Sequence, residues 1–472
     1  ASESDGNYSI ETLLFYQDTG FFVLQDFNEF SFAHLQNLGP NLPATAAEST
    51  ISASSANLVA DGVTTTTLTL QGVDLKGIDT SVSGQSVQLF SNNGSVGATI
   101  DQGDGTYTAI LTSPLIANVA AVTATIDGVT VTDVETVTFT AGNAFAANTT
   151  LSSSSPNIVA NGVSVSNMIV QLVDLYGNNL TQSGGSVALL TDLGTLGSVQ
   201  DFGDGTYTAV LTSPILAGTA TVTGFVNAVA MTDTATTNFT PGSPSITQTL
   251  ITASPNTLTA NGSAVSTIIV SAIDNNGNSL TSGGDTVVLS STNGSLSTVS
   301  DLGNGFYSSL ITASAFSGFA VVTGTLNGAD ILDSDIITFV PGSVSALNSI
   351  VSATGEIVAN GTSTALVTVQ SVDANNNLIE SGSDTVTMST DRGTISSVSD
   401  MGDGTYTAIL TSTSVAGNAT ITATINGIAV PDTAVVAFVP GNANIVFTTI
   451  SSLDATLPAN GATNIAIGCA AG

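Results

Sequence analysis

The chain has 472 residues, of which 35 are acidic and only two, Lys76 and Arg392, are basic, so its formal net charge is -33 at pH 7. A charge of this sign repels nucleic acid and anionic lipid, and we expect neither as a partner. No stretch of the sequence approaches the roughly 18 unbroken apolar residues of a membrane span, so membrane insertion is not expected either.

The N-terminal segment, residues 1–48, matches no later part of the chain and is rich in aromatic side chains. So short a piece cannot bury this much apolar surface by itself, so we expect it to pack against another protein. We predict that it anchors the chain or drives assembly into a homo-oligomer or larger structure, and the alternative is that it caps the first domain. The residues assigned to this role are Phe15, Tyr16, Phe21, Phe22, Phe27, Phe30 and Phe32.

After residue 48 the chain repeats itself at intervals of about one hundred residues, which is long enough for each unit to have its own core. The repeated motif is Gly-Asp-Gly-Thr-Tyr-Thr-Ala, found at 103–109, 203–209, 402–408 and, in a looser form, 303–309. This spacing predicts repeat 1 at 49–142, repeat 2 at 143–242, repeat 3 at 243–342 and repeat 4 at 343–441.

Each repeat opens with an apolar-Ala-Asn/Asp-Gly turn, and a strictly alternating segment such as residues 67–71 follows. Alternation of apolar and hydroxyl side chains is typical of a half-buried strand. An Asp/Asn/Gly turn, further strands and a two-residue Asp-Gly or Asn-Gly hairpin come next, and the Tyr of the repeated motif is expected to anchor the core. About seven short strands without helical periodicity predict an all-β fold of immunoglobulin-like antiparallel β-sandwiches.

Linkers such as residues 242–245 are too short to behave as free coil, so the tandem sandwiches are expected to form an elongated, semi-rigid rod. Residues 442–472 are predicted to begin a fifth, incomplete repeat, because Leu-Pro-Ala-Asn-Gly at 457–461 matches the opening of the others. Two strands cannot form an independent sandwich. Either a longer natural chain continues from here, or the fragment completes a neighbour's sheet by strand addition.

The ordered motifs of residues 49–441 resemble the bacterial immunoglobulin-like repeats of the invasin and intimin family. The resemblance implies stiff rods that project a binding tip from a cell surface, and similar repeats decorate phage virions. It therefore implies exposure and reach, with a host receptor or a glycan as the partner at the distal end, and it does not imply a particular ligand.

Catalytic chemistry is scarce in the sequence. The single histidine, His34, and the single cysteine, Cys469, both lie outside the repeats, so no nucleophile has an evident base. Carboxylate pairs such as Asp101 with Asp104 recur at equivalent turns, which favours a folding role over catalysis. We therefore expect no enzymatic activity and no organic cofactor.

Calcium is the one cofactor that the turns could accommodate, because hard cations prefer clustered carboxylate and amide oxygens. The candidate ligands are Asp274, Asn276 and Asn278. The segment lacks the spaced acidic ligands of a calcium-binding loop, and turn chemistry alone also accounts for its composition.

The sequence thus predicts a non-enzymatic, surface-exposed stalk or fibre, anchored by its N-terminal segment and serving adhesion or attachment, outside a cell or on a virion. The alternatives are a phage fibre or a capsid or tail decoration protein, and a self-assembling extracellular filament that uses strand addition. An array of carbohydrate-binding modules ranks last, since the repeats contain no Trp and their regular Tyr residues are expected in the core.

Overall fold

The computed structural model of the chain describes residues 42–442, and every regular element in this range is a β-strand. Among these residues we find no helix with the length and apolarity that a membrane crossing requires. The described chain forms two compact units, and the boundary between them falls within repeat 2. The second unit consists of residues 157–164, residues 213–218 and the described residues from 238 onward.

The strands of repeat 1 are β1 (Thr50–Ala53), β2 (Asn57–Val59), β3 (Thr65–Gln71), β4 (Val87–Ser91), β5 (Ser95–Val96), β6 (Ile100–Asp101), β7 (Thr106–Thr112), β8 (Asn118–Ile126), β9 (Val129–Thr130) and β10 (Glu135–Thr140). Those of repeat 2 are β11 (Thr150–Ser153), β12 (Asn157–Val159), β13 (Val165–Gln171), β14 (Val187–Thr191), β15 (Thr195–Leu196), β16 (Gln200–Asp201), β17 (Thr206–Thr212), β18 (Gly218–Val226) and β19 (Val229–Thr240).

The strands of repeat 3 are β20 (Leu250–Ser254), β21 (Thr257–Thr259), β22 (Val265–Ser271), β23 (Val287–Ser291), β24 (Ser295–Leu296), β25 (Ser300–Asp301), β26 (Phe306–Thr312), β27 (Gly318–Leu326), β28 (Ala329–Asp330) and β29 (Asp335–Val340). Those of repeat 4 are β30 (Ile350–Ala353), β31 (Ile357–Val358), β32 (Thr364–Gln370), β33 (Val386–Thr390), β34 (Thr394–Ile395), β35 (Ser399–Asp400), β36 (Thr405–Thr411), β37 (Gly417–Ile425), β38 (Ile428–Ala429) and β39 (Ala434–Val439).

Repeat 1 is a two-sheet sandwich, with strand orders β1-β3-β7-β5 and β2-β10-β8-β4. Repeats 3 and 4 have the same two orders, and in repeat 2 the first sheet is again β11-β13-β17-β15. In repeat 1, seven strands have three or more residues, which matches the number predicted from the turn spacing. The predicted all-β fold of tandem immunoglobulin-like sandwiches is confirmed.

One strand pair in each repeat is parallel, which the sequence pattern did not predict. The first strand of repeat 1 is split, so that β1 pairs antiparallel with β3 in one sheet and β2 pairs parallel with β10 in the other. The chain crosses between the sheets at residues 54–56. The sequence carries little information about this parallel pair, because alternation shows which face of a strand is buried but not which neighbouring strand it pairs with.

The core of repeat 1 lies between its sheets and contains the residues that alternation placed inward, such as Leu68 and Leu70, both fully buried. Tyr107 is 2% exposed, and its hydroxyl accepts a hydrogen bond from the backbone N–H of Gln85 at 3.2 Å. The equivalent tyrosines are equally buried, so their predicted role as core anchors is confirmed: Tyr207, Tyr307 and Tyr406.

Residues that precede the predicted start of repeat 1 at residue 49 also pack on its sandwich. Ala44 is 6% exposed and belongs to the core of repeat 1, and the side chain of Gln85 hydrogen-bonds both its backbone N–H and its carbonyl. The hydroxyl of Thr80 donates to the carbonyl of Leu42 at 2.6 Å. The residues around Leu42 and Ala44 have small side chains and no alternating pattern, so the sequence did not indicate that they pack on the first sandwich.

Candidate functional site

The paired carboxylates of the repeated motif lie at turns. The Asp101 carboxylate accepts from the N–H of Gly103 at 2.9 Å, and the Asp104 carboxylate accepts from the N–H and hydroxyl of Thr106. The hydroxyl and backbone bonds from Thr106 lower the pKa of Asp104. Each carboxylate therefore closes its own turn, as the recurrence of the motif suggested.

The three residues proposed as calcium ligands come together where repeat 3 meets the end of repeat 2. One oxygen of the Asp274 carboxylate accepts from the N–H groups of Asn276 and Asn278, at 2.8 and 2.9 Å. The other accepts from the Asn278 side-chain amide at 2.9 Å and from the N–H of Gly242 at 2.8 Å. Four N–H donors thus surround one carboxylate that is only 1% exposed.

The amide of Asn278 joins this turn to the backbone of repeat 2. Its Nδ2 donates to the carbonyl of Ile215 at 2.9 Å, and its Oδ1 accepts from the N–H of Ala217 at 2.7 Å. Asn276 adds a bond from its own amide to the carbonyl of Ala160 at 3.1 Å. We call this arrangement the junction clasp. It consists of an Asp and the Asn four residues later, together with three partners in the preceding repeat: a Gly N–H, a backbone carbonyl and a second backbone N–H.

The clasp recurs at the other two junctions of the described chain. Asn178 donates to Asp174 and to the carbonyl of Leu115, both at 2.9 Å, and accepts from Ala117 at 2.8 Å, while Gly142 donates to Asp174. Between repeats 3 and 4 the corresponding residues are Asp373 and Asn377 with Ala315, Ser317 and Gly342.

The electrostatics of the clasp favour the ionised carboxylate. Burial alone would raise the pKa of Asp174, but the hydrogen bonds from Asn178, Gly142 and Tyr176 outweigh it and hold this pKa below its ordinary value. The pKa values of Asp274 and Asp373 are lowered by the same balance. The clasp therefore holds a buried negative charge with N–H groups and no cationic side chain.

Repeat 1 carries only the part of this arrangement that lies within the turn. Asp74 accepts from the N–H groups of Lys76 and Ile78, at 2.8 and 3.1 Å, as its counterparts do. The position of the clasp asparagine is occupied by Ile78, whose side chain is 58% exposed. The asparagine is thus found at each junction between described repeats, whereas the turn itself forms without it.

Sequence reasoning identified these segments as turns but missed their role between repeats. The available signal was the contrast between Ile78 and the buried asparagines at 178, 278 and 377. The aromatic residues predicted to anchor the chain, Phe15, Tyr16, Phe21, Phe22, Phe27, Phe30 and Phe32, lie outside the described residues, as do His34 and Cys469. Within residues 42–442 no group of three or more His, Cys, Asp or Glu side chains is placed to hold a metal ion.

Sandwiches of one topology in tandem, with clasped junctions, define a modular array of immunoglobulin-like domains. The chain belongs to the family described as "Invasin, domain 3", whose model matches residues 45–142, 146–242, 245–342 and 345–441. The resemblance noted in the sequence is confirmed by these four matches.

Solved structures of bacterial proteins are also similar to this chain. A crystal structure of invasin, described as a bacterial integrin-binding protein, has 24% identity and a TM-score of 0.42, with 83% of this chain and 79% of that one covered. The Escherichia coli adhesin FdeC has 22% identity and a TM-score of 0.44, with 64% and 100% covered. InvD of Yersinia pseudotuberculosis has 21% identity and a TM-score of 0.41, with 62% and 97% covered.

Proposed function

We propose that this chain is a non-enzymatic, surface-exposed stalk that spaces a binding end away from the surface carrying it. The observation that carries the proposal is the junction clasp, found at three successive junctions with the same donors and acceptors. A linker of a few residues that is also bonded on both sides leaves little freedom for hinge motion. Such joints suit an array that holds a binding end at a distance from the surface.

The linkers themselves support this proposal, because each is tied to the turn of the repeat that it enters. The N–H groups of Phe145, Ser245 and Ser345 donate to the carbonyls of Val173, Ile273 and Val372, each at 2.7 Å. These bonds fix the end of each linker on the repeat that it enters, so relative motion of two neighbouring repeats would have to break the clasp.

Adhesion is the activity that such a stalk would serve. The match to the invasin family over all four repeats supports an extracellular or cell-surface location. In this proposal residues 1–48 attach the chain to other protein subunits, and a host receptor or glycan binds at the distal end. The charge of -33 argues against nucleic acid as the partner.

Negative-stain electron microscopy of the particle or cell surface that carries the chain, with a gold label near residue 1 and a second label near residue 472, tests the proposal. We expect the first label at the base of isolated projecting rods and the second label farther from the surface than the first. First labels repeating along a continuous fibre would instead assign the chain to a self-assembling filament. Projections on virions would retain the stalk but place it on a phage appendage.

A further inference from the structure

An open groove of about 520 Å³ lies where repeat 3 meets repeat 4. Repeat 3 contributes Phe319, Ile336, Val340 and Pro341 to its lining, and repeat 4 contributes Glu380. Its volume falls within the range of sites that hold a few side chains or a small ligand. Of the residues in the clasp of this junction, only Ser317 also lines the groove.

The groove exposes large apolar side chains that the fold does not require. Phe319 is 64% exposed and Ile336 is 54% exposed. Repeats with the same strand order have other residues at these positions. Phe319 corresponds to Val119, Thr219 and Asn418, and Ile336 corresponds to Thr136, Thr236 and Val435. Since smaller and polar residues serve equally well in the same strands, packing does not explain this pair, and an exposed apolar cluster is typical of an interaction site.

Strand addition is blocked at the end of β29 that lines the groove. Residues 335–339 of β29 pair with β27 on one edge, and residues 338–340 pair with β21 on the other. An added strand would therefore find no free row of backbone N–H and C=O groups along residues 338–340. We therefore base recognition at this groove on side chains.

The charges select the kind of side chain. Among the described residues that line the groove, Glu380 is the only charged one, and the equivalent positions in the other repeats are Ser81, Thr181 and Thr281. It adds a carboxylate to the groove that Phe319 also lines, in a chain whose net charge is -33. A carboxylate attracts a basic side chain, and an aromatic face attracts a cation as well.

We propose that the groove between repeats 3 and 4 binds a protein segment in which a basic side chain lies next to an aromatic or aliphatic one. The apolar side chain packs on Phe319 and Ile336, while the basic group lies between the Phe319 ring and the Glu380 carboxylate. This site lies on the flank of the array and is independent of any binding at its distal end.

Methyl NMR of the full chain, labelled at isoleucine, tests the proposal with a blocked Phe-Arg dipeptide as the probe. We expect the Ile336 methyl signal to shift in a saturable manner, and a blocked Phe-Glu dipeptide to leave it unchanged. Equal shifts with both dipeptides, or none with Phe-Arg at millimolar concentration, would overturn the proposal. A saturable shift with a neutral trisaccharide and none with Phe-Arg would assign the groove to a glycan and would also overturn it.

Substitutions to the residues found in repeat 2 ensure that a loss of binding is not caused by a loss of folding. Phe319→Thr and Glu380→Thr introduce the residues that repeat 2 carries at positions 219 and 181. We expect the first to abolish the saturable shift and the second to weaken binding up to about fivefold, the upper end of the effect of one exposed charge pair. Val119→Thr, the matched change in repeat 1, should leave binding unaltered. Undiminished binding by both groove variants would refute the assignment.

Discussion

The side-chain amide of Asn178 bonds the Asp174 carboxylate of its own repeat and the Leu115 carbonyl of the preceding one, both at 2.9 Å. One residue therefore links repeat 2 to repeat 1. Both amide hydrogens and the amide oxygen have partners, so any rotation of the amide group breaks at least one hydrogen bond. This relationship makes the junction sensitive to a single substitution.

Asn178→Ala should weaken the first junction while both sandwiches stay folded. The substitution removes the bond to Leu115 and leaves the N–H of Ala117 without its acceptor, a loss of about 1–3 kcal/mol for a partly buried group. Hydrogen exchange measured by mass spectrometry should show faster exchange in the peptides that contain Ala117 and Gly142.

Asn148→Ala is the control for this experiment, because the Asn148 amide bonds only carbonyls of its own repeat, those of Asp174 and Leu175. It should leave exchange at Ala117 unchanged. If Asn178→Ala also left that exchange unchanged, the clasp would not restrain the junction.

Acid should loosen the junctions. The pKa of Asp174 is lower in the folded chain than its ordinary value of about 3.9, so the carboxylate stabilises the fold fully above that value. The stabilisation is lost as the pH falls through the lowered pKa, and it is constant above about pH 5. Calorimetry of the wild type and Asp174→Asn should therefore show a difference in Tm that is largest near neutral pH and narrows toward pH 2. A difference that stayed constant down to pH 2 would contradict the assigned ionisation.

Local chemistry made much of the fold predictable. The two-residue hairpin after β8 was correctly predicted, since Asp127 and Gly128 both adopt positive φ, at 48° and 82°. The clasp was not predictable in the same way, because Asn178 bonds a carbonyl 63 residues earlier in the chain. Alternation and turn preferences describe a residue's immediate neighbours, whereas the clasp depends on a long-range partner. The sequence alone could have suggested the clasp through one comparison, since repeat 1 has Ile78 where the other three repeats have asparagine.

Repeat 2 contains a strained hairpin residue that can be improved. Ala228 has φ of 66°, a left-handed conformation in which the equivalent positions of the other repeats have glycine. A non-glycine residue in this region costs about 1 kcal/mol or slightly more. Ala228→Gly should therefore raise the unfolding temperature of repeat 2, as measured by calorimetry, and Gly128→Ala should lower that of repeat 1. A fall in stability for Ala228→Gly would show that unfolded-chain entropy outweighs the strain.

The two glycines of the Gly-Asp-Gly turn should respond unequally to substitution. Both have positive φ, 79° at Gly203 and 87° at Gly205. A Cβ at Gly203 would meet open space, whereas one at Gly205 would overlap the carbonyl of Leu180. Gly203→Ala should therefore cost about 1 kcal/mol from backbone strain alone, and Gly205→Ala should cost clearly more, because backbone atoms must also move. Urea unfolding of the two variants measures the difference, and equal losses would disprove the steric argument.

Chelation of calcium should leave the stability of the array unchanged. A cation at Asp274 and Asn278 would need the oxygens that now accept N–H groups: both carboxylate oxygens of Asp274, and the Oδ1 of Asn278, which accepts from Ala217. Binding there would break the bonds that join repeats 2 and 3, and the carboxylate is already stabilised by four N–H donors. Melting curves of the full chain with calcium and with a chelator should therefore superimpose. A Tm that rises with calcium, and that ceases to respond in Asp274→Asn, would instead establish the junction as a metal site.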